Sequence, residues 1–468
     1  MNKKCQVFTP PDYVEKLLDS VGYKRGLYGK KILENSCGDG NILTVIVQRY
    51  IDDCRAHGLS RTIIKNGLRR DIIGVEIDKE QLEKCLNNLN RIIEKNGIKE
   101  VKWQIINGDY LREKILGKFD YIVGNPPYIT YSELTMQDRK FLRKKYISCK
   151  KGKFDYCYAF LEKSIESLSS KGKMAYLIPS SVYKTVFGKE IRDILHPLVT
   201  EIIDYTQEKL FKKALVKSSI IVLHKKNSGG RIHYVDDTVN VDKYIAKEKL
   251  EEKWLFYPQK HGGRRFGDYF RVSHVVATLC NKVFVKTKWN IDENGNYLLE
   301  GESVEAEVVR ETASPRLYQA KERGIIIFPY SYSNDNELSR YTEKEFEERF
   351  PGAYSYLKKY KELLDKRDSD ITASWFEYGR SQALNKLYCE KLLVSTIVSG
   401  DMPVYRLSKE CIPYAGMFIT AKGVTLSLDD GMDILNKKEF LSYAKNVGIP
   451  INGKSVRITS KDIENYLF

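Results

Sequence analysis

Residues 31–41 read Lys-Ile-Leu-Glu-Asn-Ser-Cys-Gly-Asp-Gly-Asn, a short apolar run that breaks at two glycines and then opens an amphipathic segment. This order is typical of a strand, a tight turn and a helix. Glycine accepts positive φ and has no side chain, so the backbone of such a turn can approach a ligand closely. A glycine pair alone is a weak signal, because a βα turn that binds nothing can read the same way. The stretch therefore predicts the first strand of a parallel sheet and a candidate ligand-binding turn.

The same alternation continues through the first half of the chain, where further short apolar runs are separated by longer helical segments. The predicted strands cover residues 31–35, 72–77, 103–106, 121–123, 174–178, 201–205 and 218–224, and the predicted helices cover residues 11–18, 42–50, 79–94 and 155–168. Such alternation is typical of α/β folds, in which helices cover both faces of a parallel sheet. We therefore predict a doubly wound α/β domain.

A turn-forming cluster at residues 227–230, Asn-Ser-Gly-Gly, interrupts this pattern. Beyond it the helix and strand signals are mixed and irregular. We place the domain boundary there, which gives a first domain over residues 1–226 and a mixed α+β second domain over residues 231–468.

The charge of the chain is strongly basic and unevenly distributed. The net charge is +16; residues 1–230 hold 42 Lys and Arg against 27 Asp and Glu, whereas residues 231–468 hold 36 against 35. An excess of cations attracts phosphates, so we expect an anionic partner on the first half. The most basic stretch is residues 138–153, although a charge run is often only a solvated face. It includes Arg139, Arg143, Lys144, Lys145, Lys150 and Lys151.

Other classes of protein are disfavoured. The chain has no apolar run of the roughly 18 residues that a membrane helix needs, and its start lacks the apolar stretch of a secretory signal. The nine cysteines include no Cys-x-x-Cys pair, and the six histidines lack zinc-ligand spacing. We expect a cytoplasmic protein without a metal site.

Acidic residues stand at successive strand ends. Glu76 lies at the end of the second predicted strand, where a doubly wound fold holds a ribose by its hydroxyl groups. Asp109 follows the third strand, where a carboxylate could accept a hydrogen bond from an exocyclic amine. Each acid alone is more often a helix cap or a loop residue. Together they point to a nucleoside cofactor.

The fourth strand ends in Gly-Asn-Pro-Pro-Tyr, residues 124–128. The two prolines fix φ and remove two backbone donors, so the local carbonyl groups can accept hydrogen bonds from a ligand. The Asn125 amide and the Pro126 carbonyl offer two acceptors to one planar NH2 group. Tyr128 offers a flat ring for stacking a base, a contact worth about 1–3 kcal/mol. The segment therefore predicts a site for a planar amine.

These motifs, in this order, resemble the gamma-class DNA methyltransferases, TaqI-like or Eco57I-like, that transfer a methyl group from S-adenosylmethionine to adenine N6. The resemblance implies a Rossmann-like seven-strand methyltransferase sheet in the first domain, and target recognition by the second. It covers residues 7–226 well, with an N-terminal Val-Phe-Thr-Pro-Pro element before the glycine turn. The turn departs from the family pattern at Asn35, where a proline is common, and at Asp39, where a small residue is common.

The resemblance also implies a set of site residues. Thr9, Glu34 and Ser36 would hold the methionine part of the cofactor, Glu76 the ribose and Asp109 the adenine amine. The remaining cofactor contacts would come from Pro10, Cys37, Gly38, Ile77, Tyr110, Asn125, Pro127 and Phe160. The catalytic residues would be Asn125, Pro126, Pro127 and Tyr128. No metal is implied.

Double-stranded DNA is the implied partner, and the target adenine would leave the duplex to reach the site. Phe211 would sandwich that base against Tyr128, although an ordinary core role for Phe211 is an alternative. The basic stretch would bind phosphates. In the second domain, Arg380 and Gln382 follow two aromatic residues and are candidates for reading bases, but core packing of the aromatics with a structural arginine is equally compatible.

Three alternatives remain open. Enzymes that methylate a protein glutamine carry the same Asn-Pro-Pro-Tyr segment, and related motifs occur in RNA methyltransferases. A non-catalytic DNA-binding protein on the same fold is the third. We expect a stand-alone modification enzyme, monomeric on DNA, with any cognate restriction endonuclease on a separate chain.

Overall fold

The computed structural model describes residues 9–205, 217–226, 229–237, 240–257, 263–333, 335–451 and 455–468. The chain divides into two compact units after Tyr257, with a short stretch from Ile449 counted with the first. Within the described residues, no helix combines the length and the apolar character that crossing a membrane requires.

The first unit is an α/β layer structure that follows the predicted alternation. Its strands are β1 (Ile32–Glu34), β2 (Ile72–Glu76), β3 (Gln104–Asn107), β4 (Phe119–Gly124), β5 (Leu168–Pro179), β6 (Val199–Asp204), β7 (Ser218–His224), β8 (Arg231–Asp236) and β9 (Val241–Ala246). Its helices are α1 (Pro11–Val21), α2 (Asn41–Ala56), α3 (Arg61–Asp71), α4 (Lys79–Lys95), α5 (Met136–Lys145), α6 (Cys157–Ser167) and α7 (Lys189–Leu195). All seven predicted strands and all four predicted helices are present.

The sheet of the first unit has the order β3-β2-β1-β4-β5-β7-β6-β8-β9 among the described residues. Strands β1 to β5 run parallel, and β7 is antiparallel to both of its neighbours. The strand order reverses between β1 and β4, the point at which ligands bind in open α/β sheets. Apolar side chains form two clusters, one containing Leu33 and Ile122 and the other containing Ile32 and Val123. Adjacent residues alternate between the two clusters because successive side chains of a strand point to opposite faces.

The predicted boundary at residues 227–230 is wrong in position. Strand β8 pairs with β6, and β9 pairs with β8, so the sheet continues past that turn. The described sheet therefore has two strands more than predicted, and the division falls about 30 residues later, after Tyr257. Gly229 and Gly230 lie in the connection from β7 to β8 of this sheet, because glycine suits a connection between two strands as readily as a linker between domains.

The chain beyond Tyr257 mixes small sheets with short helices, as predicted. Its strands are β10 (Phe270–His274), β11 (Val285–Lys286), β12 (Asn290–Ile291), β13 (Tyr297–Leu299), β14 (Glu302–Val304), β15 (Val309–Ala313), β16 (Gly324–Ile327), β17 (Tyr330–Tyr332), β18 (Leu338–Arg340), β19 (Lys391–Val394), β20 (Ile397–Val398), β21 (Tyr405–Leu407), β22 (Ile412–Pro413), β23 (Met417–Ala421), β24 (Ile449–Pro450) and β25 (Val456–Arg457). Its helices are α8 (Phe266–Tyr269), α9 (Asn281–Phe284), α10 (Pro315–Ala320), α11 (Glu343–Arg349), α12 (Pro351–Lys358), α13 (Lys361–Asp365), α14 (Leu428–Leu435), α15 (Lys438–Val447) and α16 (Ser460–Glu464). Two aromatic-rich cores, around Phe346 and around Phe440, hold this unit together.

Candidate active site

The ends of β1 and β4 bring the glycine turn and the Asn-Pro-Pro-Tyr segment together. Glu34 pairs in register with Val123, so the residues that follow each strand leave the sheet side by side. The Ser36 hydroxyl donates a hydrogen bond to the backbone carbonyl of Asn125, at 3.1 Å. This bond fixes the two segments to each other at the point where the strand order reverses.

The glycine turn holds the Glu76 carboxylate, which is almost fully buried. The Gly38 amide donates to Oε2 of Glu76 and the Asp78 amide donates to Oε1, both at 2.8 Å. Each carboxylate oxygen has further lone pairs, so Glu76 can still accept hydrogen bonds from ribose hydroxyls. Gly40 has φ 89°, and a Cβ there would lie 2.8 Å from the Cys85 sulfur of α4. The turn therefore requires glycine for both its conformation and its packing.

Glu34 is a buried carboxyl group that forms no ion pair with any residue the structure describes. Its Oε2 atom has no hydrogen-bond partner in the described part of the chain. Burial, with the nearby Cys85 and Glu76 side chains adding to it, raises the pKa of Glu34 well above its ordinary range. A cationic group brought in by a ligand would relieve this arrangement. The ammonium of a methionine moiety fits this requirement, so the residues present suit S-adenosylmethionine.

The side chains predicted to surround the cofactor adenine differ in exposure. Ile77 is exposed at the end of β2, as an apolar contact for a base would be. Asp109 already accepts hydrogen bonds from the Leu111 amide at 2.9 Å and from Arg112 Nε at 3.0 Å. Tyr110 and Phe160 are buried against each other, with ring centroids 5.3 Å apart. The assigned roles of these residues stay predictions.

A buried hydrogen-bond network under the glycine turn was missed in the sequence. The Asn35 amide donates to Ser164 Oγ at 2.9 Å and to the Tyr176 hydroxyl. Ser164 Oγ also lies 2.7 Å from the Tyr176 hydroxyl and 3.1 Å from the Tyr110 hydroxyl. The network connects the ends of β1 and β3 to α6 and β5. The sequence held one indication of this network: Asn35 stands at a position where the resembling family commonly has a proline. The structure shows that its side chain is buried.

The Asn125–Tyr128 segment is partly buried. Asn125 Nδ2 donates to the Thr9 hydroxyl at 3.3 Å, which fixes the plane and the orientation of the amide. Pro126 is buried, and the side chain of Tyr128 is partly exposed. The Tyr128 hydroxyl is buried close to Ser218, and burial raises its pKa well above the ordinary value. The ring is therefore held at its hydroxyl end and accessible elsewhere.

The cations of the basic stretch fall into two groups. Arg139, Arg143 and Lys145 donate hydrogen bonds to backbone carbonyls, which gives them an intramolecular role. Lys144, Lys150 and Lys151 are exposed. The exposed lysines are the better candidates for phosphate contacts.

In the second unit, Arg380 is held between two carboxylates. Its guanidinium donates to Asp370 and Asp368, both at 3.0 Å. Gln382 is exposed. The DNA contacts predicted for both residues stay predictions, and Arg380 would have to exchange its partners to reach DNA. Phe211, the predicted second stacking ring, lies outside the described residues.

The strand order and the site define a class, the S-adenosylmethionine-dependent methyltransferases. Residues 23–211 match the model of the Eco57I restriction-modification methylase family. The resemblance stated from the motifs is thereby confirmed.

Individual relatives agree with this assignment. The chain is 25% identical over 329 residues to the type II restriction enzyme and methyltransferase RM.Eco57I of Escherichia coli, across 60% of this chain and 33% of the relative. It is 29% identical over 262 residues to the type II methyltransferase M.BstVI of Geobacillus stearothermophilus, across 53% of this chain and 44% of the relative. The chain thus spans less than half of the length of either relative.

Solved structures share the fold over nearly the whole chain. A DNA complex of the type IIL restriction-modification enzyme MmeI matches with a TM-score of 0.64 and 14% identity, across 97% of this chain and 65% of that one. A nuclease-deletion mutant of the type ISP enzyme LlaGI, bound to a DNA substrate mimic, matches with a TM-score of 0.58 and 12% identity, across 98% of this chain and 54% of that one.

Proposed function

We propose that this protein transfers a methyl group from S-adenosylmethionine to the N6 amino group of an adenine flipped out of duplex DNA. The observation that carries the proposal is the hydrogen bond from Ser36 to the backbone carbonyl of Asn125, which joins the glycine turn to the segment whose Asn125 side chain suits a planar amine. The family of residues 23–211 and the type II methyltransferases among the relatives support DNA as the substrate. Its role as a stand-alone modification enzyme, with an endonuclease on a separate chain, stays a prediction.

The residues of the chain would prepare the amine for attack. S-adenosylmethionine, when bound, supplies a methyl group on a positively charged sulfur. The Asn125 side-chain oxygen and the Pro126 carbonyl would accept the two N6 hydrogens, because the bond to Thr9 turns the nitrogen side of the Asn125 amide away. Accepting both hydrogens draws the nitrogen lone pair out of conjugation with the ring and directs it at the methyl group.

Tyr128 would offset the cost of base flipping. Removing an adenine from the duplex costs a few kcal/mol, and stacking on an aromatic ring returns about 1–3 kcal/mol. Because its hydroxyl end is buried near Ser218, the ring does not need to be ordered when the base arrives. This preorganisation favours a stacked base over water in the site.

The test is a substrate panel with labelled S-adenosylmethionine. Duplex DNA, RNA and a release-factor protein are incubated with the wild type, with Asn125→Ala, and with Asn66→Ala, an exposed amide on α3 that serves as the matched control. We expect label only in DNA, as N6-methyladenine, lost at least about 100-fold in Asn125→Ala and retained in Asn66→Ala. Label only in RNA or in protein would overturn the DNA substrate, and no label in any of them would favour a non-catalytic DNA-binding protein.

A further inference from the structure

We propose that residues 150–153, named here the lysine loop, and the turn Val186–Gly188, named here the Phe187 turn, form one surface that holds the DNA backbone beside the flipped base. This inference rests on the proposed function, because it takes duplex DNA as the partner. It adds an apolar component, Val186 and Phe187, that no motif of the sequence indicates.

The two segments are packed as a single piece. Phe187 lies directly over Gly152, where an added Cβ would come within 2.0 Å of the ring. Gly152 has φ 65°, a conformation that favours glycine. Arg143 donates to the carbonyls of Lys150 and Gly152, at 2.8 and 2.9 Å. Arg143 therefore supports the lysine loop from inside, and Phe187 covers it from the adjacent turn.

Both segments are connected to the catalytic segment within the first unit. The Tyr156 amide, three residues after the lysine loop, donates to the Ile129 carbonyl at 3.0 Å. Ile129 directly follows Tyr128. The Tyr158 hydroxyl lies 3.2 Å from the Thr185 hydroxyl, one residue before the Phe187 turn. Through residues 156–158, these bonds connect both segments to the chain that directly follows Tyr128.

The surface combines exposed cations with exposed apolar groups. Lys150, Lys151 and Lys153 are exposed, and residues 139–154 contain no Asp or Glu. Val186 is 60% exposed and Phe187 is 42% exposed. The acids of the adjacent helix α7 are Glu190, which is partly exposed, and Asp193, which pairs with Lys189 at 2.6 Å.

Such a surface matches the chemistry of a DNA strand. Lysines neutralise phosphates and release counterions, which makes their contribution dependent on salt. Apolar side chains can pack on deoxyribose and on base faces that flipping exposes, and this contribution depends little on salt. The contributions of the lysines and of the apolar side chains to DNA binding can therefore be separated by their dependence on salt.

The test measures the dissociation constant of the full chain for a fluorescent mixed-sequence DNA duplex at several salt concentrations. Lys150→Gln with Lys151→Gln should lower the slope of log K against log salt by about 1.8, or about 0.9 for each lysine. Val186→Ser with Phe187→Ser should weaken binding about tenfold at every salt concentration and leave the slope unchanged. Gly152→Ala, which displaces Phe187, should weaken binding in the same way.

Matched controls lie near the amino-terminal ends of the parallel strands, just before β3 and β4 begin. Lys99→Gln with Lys102→Gln removes two exposed lysines, and Leu116→Ser removes an apolar side chain that is 77% exposed. We expect both to bind DNA as the wild type does. Equal unfolding temperatures of all variants exclude misfolding as the cause of a loss.

The outcomes separate this inference from the proposed function, because methylation by the wild type is scored independently. If the wild type methylates DNA and both surface variants bind DNA as tightly as it does, the proposed DNA-binding surface is refuted, whereas the proposed function is supported. If the control variants lose as much affinity for DNA as the surface variants do, the proposed DNA-binding surface is also refuted. Wild-type protein that neither methylates nor binds DNA would contradict the function and, with it, this surface.

Discussion

The two units of this chain hold their charged residues in different ways. In the first, Glu76 stands at a strand end and is oriented by the backbone amides of Gly38 and Asp78, with lone pairs left for a ligand. In the second, Arg380 is paired with Asp368 and Asp370. The sequence predicted a ligand contact in both cases, for Glu76 from its position at a strand end and for Arg380 from the aromatic residues that precede it. The difference teaches that a charged side chain at the end of a parallel strand can keep hydrogen-bonding capacity for a ligand, whereas a charged side chain in a loop can already be occupied by partners within the chain.

The largest expected effect is at Tyr128. Tyr128→Ala removes the stacking ring, and kcat/KM for DNA methylation should fall about 100-fold. Tyr128→Phe keeps the ring and loses only the buried hydroxyl, so we expect a loss of less than about tenfold. Steady-state kinetics with both variants measure the difference. Equal losses in the two variants would mean that the hydroxyl, and not the ring, carries the function.

The next effect tests the network under the glycine turn. Tyr176→Phe removes a buried acceptor of the Asn35 amide, which costs about 1–1.5 kcal/mol. Because Asn35 lies between Glu34 and Ser36, we expect the dissociation constant for S-adenosylmethionine to rise about tenfold, as measured by calorimetry.

Tyr50→Phe is the matched control for this network. Tyr50 is also buried, and its hydroxyl donates to Asp71 at 2.6 Å, in a region of the first unit outside the site. A comparable loss of stability with unchanged cofactor affinity is expected. An equal loss of affinity in both variants would assign the network a structural role only.

A smaller effect is expected at Arg380. Arg380→Ala leaves Asp368 and Asp370 without their cation, so the unfolding temperature should fall by a few degrees, whereas DNA affinity should change less than about threefold. Calorimetric unfolding and the binding assay measure both quantities. A loss of site preference at an unchanged unfolding temperature would confirm Arg380 as a base-reading residue and weaken the contrast between the units.

The smallest effect concerns the edge of the sheet that lies beyond the boundary predicted from the sequence. His233 of β8 bonds to Glu201 of β6 and Asp242 of β9, both at 2.8 Å. Burial lowers the pKa of His233, but these carboxylates outweigh it and raise the pKa above its ordinary value. Protonated His233 therefore stabilises the fold at pH values below about 6.5, and this stabilisation is lost as the pH rises through the raised pKa.

Unfolding temperatures measured against pH test this contact. The wild type should unfold at a higher temperature than His233→Gln near pH 6, and the difference should shrink as the pH rises. A difference that does not depend on pH would show that the two carboxylates do not act through the charge of His233.

The sequence predicted most of the first unit and little of the second. The seven strands were readable because apolar runs and helical periods alternate. Glu76 and Asn125 were predicted as site residues from their positions at strand ends, and Glu34 from the family resemblance; their roles stay predictions. The membership of β8 and β9 was not readable, since the turn before them reads like a linker. The roles of Arg143 and Arg380 depend on partners that only the folded chain brings together. The Asn35 network links residues up to 141 positions apart, a separation that no local pattern reports.

The most direct test of adenine-N6 methylation is the content of methylated nucleosides in DNA from cells that make the protein. A bacterial host lacking its own DNA methyltransferases expresses the wild type or Asn125→Ala, and the hydrolysed DNA is analysed for methylated nucleosides by mass spectrometry. We predict N6-methyladenine with the wild type and its loss with the variant. N4-methylcytosine in its place, or equal N6-methyladenine with both proteins, would contradict the account.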